Sequence, residues 1–199
     1  HHGLLDLAYL RPIPNMVIGA PMTGEDLEQM MVLAKDYDGP IAIRYPRGRV
    51  NVGEGELGDR QLAIGKGVCL RDVKVGEGEK QVAVLSIGAI GNTVAEAIGL
   101  LGERLKVKGE SVAHYDMRWL KPLDEELLHE VGSRYSRIVT VEDGVINGGL
   151  GSAVMEWMND HGYSVRVTRL GVDDQFVEHG STKELYQLLK LDREGICES

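Results

Sequence analysis

The sequence predicts an α/β protein built from two unequal units: a partial parallel sheet over residues 1–50, a linker over 51–63, and a mostly parallel α/β domain over 64–199. Two observations predict this fold class. Short apolar runs alternate with segments whose apolar residues recur every three or four positions, as expected when strands alternate with helices. Between the two groups of such segments, residues 51–60 are rich in Gly and Glu and poor in large apolar residues, which is typical of a linker.

The first unit has the pattern strand, helix, strand. The apolar run 16–19 predicts the first strand. Thr23, with Asp26 three residues later, predicts a capped helix start, and residues 38–40 (Asp-Gly-Pro) predict its end. Residues 41–43 form a second apolar run, so the unit is expected to be a right-handed parallel crossover. Because two strands and one helix cannot cover both faces of a sheet, the unit should take more sheet from elsewhere.

The second unit shows regular alternation. Residues 64–72 and 81–87 flank a polar Gly-Glu-Gly-Glu segment, which predicts an opening hairpin. Ser181, followed three positions later by Glu184, predicts a capping box at the start of the last helix. This alternation predicts a mostly parallel sheet covered by helices. The predicted strands are residues 82–87, 111–116, 137–142 and 163–170, and helical patterns follow each of the first three.

Composition excludes several classes of function. The net charge of −9, without any cluster of Lys and Arg, argues against a nucleic-acid-binding surface. No apolar stretch approaches the roughly 18 residues of a membrane span. The two cysteines, Cys69 and Cys197, are far apart and lack partners at metal-ligand spacing, so a reducing, cytoplasmic setting is predicted.

The first residues are His1-His2-Gly3, without an initial Met or a signal-type apolar run. Two explanations are open: the remainder of a purification tag, or a chain that begins inside a longer protein. Imidazole can contact a phosphate or move a proton near neutral pH. Taken without context, however, a His at a chain end is better explained as tag residue or frayed terminus.

The segment Arg44-Tyr45-Pro46-Arg47-Gly48 follows a predicted parallel strand. Ligands of open α/β sheets bind at the carboxyl ends of the strands, and a guanidinium there suits a phosphate. On spacing alone, an arginine in this place is more simply a surface charge in a loop.

Other polar motifs have structural explanations. Residues 148–152 (Gly-Gly-Leu-Gly-Ser) open a predicted helix whose N–H groups can bind an anion, but they lack the third glycine of a dinucleotide fingerprint. Glu142 and Asp143 are adjacent at a strand end, so their side chains should point apart rather than share acid–base chemistry. His114 is expected to be a satisfied core or interface histidine.

The remaining candidates are a possible metal site and two aromatic residues. Asp173 and Asp174, with His179, lack a second His or Cys at ligand spacing, so a solvated loop is favoured over a metal site. Trp119 and Trp157 are predicted to be packing residues.

Taken in order, these motifs resemble the deoxyxylulose-phosphate synthase family. Residues 1–50 are similar to the C-terminal half of its thiamine-diphosphate pyrimidine-binding domain, and residues 64–199 to its transketolase-type C-terminal domain. Transketolases and pyruvate dehydrogenase β subunits share the fold but not the specific pair Tyr-Leu-Arg-x-Ile-Pro-Asn and Arg-Tyr-Pro-Arg-Gly. The resemblance covers essentially the whole chain, through segments 1–16, 44–48, 64–67, 116–124 and 141–144.

The resemblance implies a reaction and a set of site residues. Pyruvate would lose CO2 on thiamine diphosphate, and the two-carbon fragment would join glyceraldehyde 3-phosphate, giving a precursor of isoprenoids, thiamine and pyridoxal. His1 matches the family's active-site histidine, expected to contact the cofactor and to move a proton. Arg47 matches the arginine that holds the substrate phosphate, and Tyr45 would shape the same loop.

The resemblance also implies what would lie outside this sequence. The family's diphosphate-binding domain, its Mg2+ ligands and the glutamate that activates the cofactor would precede His1, so no metal ligand is assigned here. We therefore expect a fragment of a homodimeric enzyme, inactive without the N-terminal part, whose C-terminal domain serves dimer contacts. The alternatives are a non-catalytic dimerisation or assembly module, and part of a transketolase or a 2-oxo-acid dehydrogenase component.

Overall fold

The computed structural model describes residues 3–48, 62–73, 80–108 and 110–199, with the backbone alone for 80, 103–108 and 110. The predicted α/β class is confirmed. The predicted linker 51–63 lies outside the described residues except for its last two positions. No helix in the described ranges is long and apolar enough to span a membrane.

The first unit forms as predicted and contains one further helix. Strand β1 (Val17–Gly19) runs parallel to β2 (Ile41–Ile43), and helix α2 (Gly24–Asp36) connects them. Thr23 and Asp26 form the predicted capping box: the Thr23 hydroxyl accepts from the Asp26 N–H at 3.1 Å, and the Asp26 carboxylate accepts from the Thr23 N–H at 3.2 Å. Helix α1 (Asp6–Leu10) was not predicted, because five residues are too few to show a helical period.

The additional sheet that the first unit needs comes from the second unit. Strand β6 (Trp119–Lys121) pairs antiparallel with β1, giving a three-stranded sheet in the order β2-β1-β6. Trp119 is fully buried and lies against Gly19, where an added Cβ would be 2.8 Å from the indole ring. The two units therefore share a sheet and a core.

The second unit contains a five-stranded sheet in the order β3-β5-β4-β7-β8. Four strands are parallel, as predicted, and β3 is antiparallel at the edge. The predicted opening hairpin is wrong: β3 pairs with β5, which stands between β3 and β4. The turn expected there, 74–79, lies outside the described residues. The strands are β3 (Val68–Arg71), β4 (Lys80–Ser86), β5 (Glu110–Asp116), β7 (Arg137–Val145) and β8 (Arg166–Val172).

Helices cover both faces of this sheet. Successive side chains of a strand point to opposite faces of the sheet, so an apolar cluster lies on each face. Leu85 packs in one cluster with Trp157, and Val84 packs in the other with Ile90. The capping box predicted at Ser181 is confirmed, with the N–H of Ser181 donating to Glu184 at 3.0 Å. One more helix than predicted ends the chain. The helices are α3 (Ile90–Lys108), α4 (Glu125–Arg134), α5 (Leu150–Asp160), α6 (Thr182–Leu188) and α7 (Arg193–Glu198).

Candidate functional site

A cleft of about 620 Å³ opens between the segment that follows β2 and the second unit. It lies at the carboxyl ends of β2 and β8, the sheet edge where ligands of open α/β folds bind. Two of the sequence-predicted site residues, Tyr45 and Arg47, line it. The third, His1, lies outside the described residues. The opposite wall is formed by residues of the second unit: Asp143, Val172, Val177, Tyr186, Leu189 and Leu191.

Arg44 connects the two walls of the cleft. Its Nη1 forms an ion pair with the Asp143 carboxylate, and its Nη2 donates to the Asp143 carbonyl at 3.1 Å. Both side chains are mostly buried, at 11 % and 7 % exposure. The Tyr186 hydroxyl donates to the other carboxylate oxygen of Asp143 at 3.1 Å. The pKa of Tyr186 is raised above its ordinary value, mainly by burial and secondly by the neighbouring charge of Asp143. The phenol therefore keeps its proton and remains a hydrogen-bond donor.

Tyr45 and Arg47 have different surroundings from Arg44. Both side chains are exposed, with Tyr45 at 58 %. They line a second cavity of about 280 Å³ as well, together with Thr23 at the start of α2 and Asn92 on α3. Arg47 therefore stands where two cavities meet, and its guanidinium is open to a ligand from solvent.

Glu142 points away from this cleft, as alternation along β7 requires. Its two carboxylate oxygens accept from the N–H groups of Leu150 and Gly151, both at 2.9 Å, at the start of α5. Burial raises the pKa of this carboxyl. The sequence suggested that this glycine turn can bind an anion, and the anion there is the protein's own Glu142. An added Cβ at Gly149 would overlap that carboxylate, so the glycine is required.

A second buried polar group ties the two units together. The Arg118 guanidinium donates to Asp26 at 2.9 Å, and the Arg118 N–H donates to Asp116 at 3.0 Å. All three residues are at least 95 % buried, and Arg118 has a left-handed φ of 55°. Burial raises the pKa of Asp116 to about 7. This Asp-Met-Arg motif is part of the family resemblance, but no local pattern predicts these contacts.

His114 and the two tryptophans occupy the expected structural positions. His114 is 2 % exposed, its Nε2 lies 2.8 Å from the Ser86 hydroxyl, and burial lowers its pKa to about 4. Trp119 and Trp157 are buried packing residues. Within the described ranges, no group of three or more His, Cys, Asp or Glu side chains is placed to hold a metal ion.

Two family models match the chain. The model of the transketolase C-terminal domain matches residues 72–196, and that of the transketolase pyrimidine-binding domain matches residues 1–52. The chain belongs to the transketolase family. This transketolase-family chain is 54 % identical, over 99 % of its length, to the 1-deoxy-D-xylulose-5-phosphate synthase of Parabacteroides distasonis. It is 50 % identical, over 98 % of its length, to that of Bacteroides fragilis.

The curated relatives are much longer than this transketolase-family chain, which spans 30 % of the first and 29 % of the second. Among solved structures, a split-gene transketolase described as an inactive β4 tetramer superposes with a TM-score of 0.83 at 30 % identity. That match covers 98 % of this chain and 60 % of the other. The transketolase of Campylobacter jejuni superposes at 0.65 over 98 % of this chain and 27 % of its own, and its 17 % identity shows the fold alone.

Proposed function

We propose that this chain is part of a 1-deoxy-D-xylulose-5-phosphate synthase, which condenses pyruvate with glyceraldehyde 3-phosphate and releases CO2. The observation that carries the proposal is identity of 43–54 % to eight proteins of that name, over 98–100 % of this chain. The product would supply isoprenoid, thiamine and pyridoxal synthesis. The protein would work in the cytoplasm as a homodimer, and this chain would be inactive without the N-terminal part.

Arg47 and Tyr45 are proposed as substrate-binding residues. Arg47 lies exposed at the mouth of the cleft, whereas the neighbouring Arg44 is already paired with Asp143. A planar guanidinium gives a phosphate two parallel, charge-assisted hydrogen bonds. Tyr45 lines the same cleft. His1, in the segment outside the described residues, is proposed from the family resemblance to contact the cofactor and to move a proton.

Thiamine diphosphate and Mg2+ are proposed as the cofactors of the whole protein. The described residues do not fit a Mg2+-diphosphate site, because Mg2+ takes carboxylate and carbonyl oxygens and no suitable cluster of side chains occurs among them. From the family resemblance, we propose that the metal ligands lie in the N-terminal part. The contribution that we propose for the described residues of this chain is to place the phosphate-bearing substrate.

A second candidate function is a non-catalytic assembly module. The observation that favours it is the close superposition with a split-gene transketolase described as an inactive β4 tetramer. The third alternative, part of a transketolase or a 2-oxo-acid dehydrogenase component, has less support, because the transketolase matches have identities of 30 % and 17 %, below those of the synthases.

The deciding experiment assays product formation by three samples: this chain alone, this chain mixed with the separately produced N-terminal part, and the complete protein. Each receives pyruvate, glyceraldehyde 3-phosphate, thiamine diphosphate and Mg2+, and deoxyxylulose phosphate is measured by mass spectrometry. We expect product from the complete protein and from the mixture, and none from the chain alone. Absence of product from the complete protein would refute the proposed function. Micromolar binding of thiamine diphosphate to the chain alone would contradict the alternative that the chain is a non-catalytic assembly module.

A further inference from the structure

The cleft has one wall from each unit, and the Asp143 side chain forms bonds to residues of both walls. Asp143 lies in β7 and Tyr186 in α6, both in the second unit, whereas Arg44 directly follows β2 in the first. Both carboxylate oxygens of Asp143 are engaged, one by the Arg44 guanidinium and the other by the Tyr186 hydroxyl. The second unit therefore contacts the loop proposed to bind substrate, and its part is not confined to assembly.

Arg44 is held at both its backbone and its side chain. Its N–H donates to the Gly19 carbonyl at 2.9 Å, which continues the β1–β2 pairing by one residue. Its side chain reaches across to Asp143, so the start of the loop has little freedom. Because Tyr45 and Arg47 follow within three residues, their positions depend on where Arg44 is fixed.

The contacts among Arg44, Asp143 and Tyr186 also affect the charge of the cleft. A lone carboxylate on the wall of the cleft would repel a phosphate dianion. The ion pair with Arg44 neutralises Asp143, and the Tyr186 hydroxyl occupies its remaining oxygen. Breaking a mostly buried pair by removing one partner leaves the other charge uncompensated, so the arrangement should be sensitive to small changes.

We infer that Asp143 and Tyr186 are positioning residues for the substrate-phosphate loop, acting through Arg44 on the segment 45–47. This inference rests on the proposed function. Both residues line the cleft, and the role inferred for them is exerted through Arg44. Together they hold the loop in the conformation that presents Arg47 to the phosphate, and they prevent the Asp143 charge from opposing phosphate binding. The predicted effect is specific to the phosphate-bearing substrate.

The test measures steady-state kinetics of the complete protein with Asp143→Asn, Tyr186→Phe, Arg44→Gln and the double variant Arg44→Gln/Asp143→Asn. For Asp143→Asn we expect KM for glyceraldehyde 3-phosphate to rise about tenfold, with kcat and KM for pyruvate changed less than twofold. Tyr186→Phe should raise KM for glyceraldehyde 3-phosphate about threefold. In the Arg44→Gln background, Asp143→Asn should add nothing, because its effect passes through Arg44.

Tyr163→Phe is the matched control, since it removes a phenol that hydrogen-bonds at 2.8 Å to His129, outside the cleft. If Asp143→Asn fails to fold, as seen by circular dichroism, Tyr186→Phe carries the test because it removes one oxygen and keeps the ring. Equal effects on both substrates, additive effects of the Arg44 and Asp143 substitutions, or an unaffected Tyr186→Phe would overturn the inference. If the unaltered complete protein forms no product, the proposed function fails and the inference fails with it.

Discussion

Arg44 and Arg47 belong to one motif, yet the structure gives them different tasks. Arg44 is mostly buried in an ion pair, whereas Arg47 is exposed at the cleft. We expect Arg47→Ala in the complete protein to cost about 1.5–3 kcal/mol of substrate binding, the range for a hydrogen bond to a charged group. That range corresponds to roughly 10- to 150-fold in KM for glyceraldehyde 3-phosphate. KM for pyruvate should stay unchanged.

The matched control for Arg47 is Arg166→Ala. Arg166 is an exposed arginine at the first residue of β8, the strand end opposite to the cleft. Its substitution should leave both Michaelis constants unaltered. If Arg47→Ala raises KM equally for glyceraldehyde 3-phosphate and for pyruvate, the phosphate role assigned to Arg47 is wrong.

Asp116 predicts a pH dependence of stability. Burial raises its pKa in the folded protein to about 7, from 3.8. The folded state therefore binds the proton more tightly, and the stability that this proton contributes is fully present below pH 3.8 and is lost as pH rises through 7. We expect the free energy of unfolding, measured with urea from pH 5 to 8, to fall with rising pH more steeply for the unaltered chain than for Asp116→Asn.

The control for this pH effect is Asp160→Asn, at an exposed position at the end of α5. Its profile should run parallel to that of the unaltered chain. Parallel profiles for Asp116→Asn as well would mean that Asp116 titrates normally in the folded protein.

Local polar contacts were predictable from the sequence, and distant ones were not. The Thr23–Asp26 and Ser181–Glu184 boxes follow from a spacing of three residues at the start of a helical pattern. The pair of Arg44 and Asp143 is separated by 99 positions, and no local pattern specifies which distant carboxylate an arginine meets. The sequence therefore located the candidate loop but not its partner across the cleft.

At the scale of secondary-structure elements, the start of α5 offers a test of internal anion binding. In Gly149→Ala the new methyl group would displace the Glu142 carboxylate from the N–H groups of Leu150 and Gly151. We expect a loss of about 1–3 kcal/mol in the free energy of unfolding, as for other overpacked buried sites. Urea denaturation followed by circular dichroism measures it.

Gly99→Ala is the control at this scale. Gly99 lies within α3, and an added Cβ there meets no atom within 4 Å. The substitution should stabilise the helix by up to about 1 kcal/mol through helix propensity. A similar gain from Gly149→Ala would show that the Glu142 carboxylate is free to move.

The predicted elements were right where they were long and periodic. Helix α2 and the four parallel strands of the second sheet follow from apolar periodicity. Strand β6 has three residues and helix α7 has six, which is too short for a period to show. The hairpin was wrong because hydrophobic pattern identifies a strand but not its neighbour, and β5 offered β3 a longer-range partner.

At the scale of the whole molecule, the shared strand β6 and the buried Arg118–Asp26 pair predict that the two units unfold together. The two tryptophans report on different parts of the protein. Trp119 belongs to the apolar cluster around β1 and α2, and Trp157 belongs to the core of the second sheet. In Trp157→Phe, fluorescence reports Trp119 alone. We expect its urea midpoint to coincide with that from circular dichroism. A Trp119 transition at clearly lower urea would show that the first unit opens independently.

Strand β6 also determines where this protein can be recombined with a relative. If a chimera joins the first unit of one parent to the second unit of another at a point within residues 49–61, β6 comes from the parent that supplies the second unit. Gly19 leaves no room for a Cβ beside Trp119 in this chain, and in the chimera it would face the residue that the other parent has at position 119. A chimera that transfers residues 117–122 together with residues 3–48 keeps the pairing of β1 with β6 and of Arg118 with Asp26 within one parent. The residues that must come from the same parent are therefore not contiguous in the sequence.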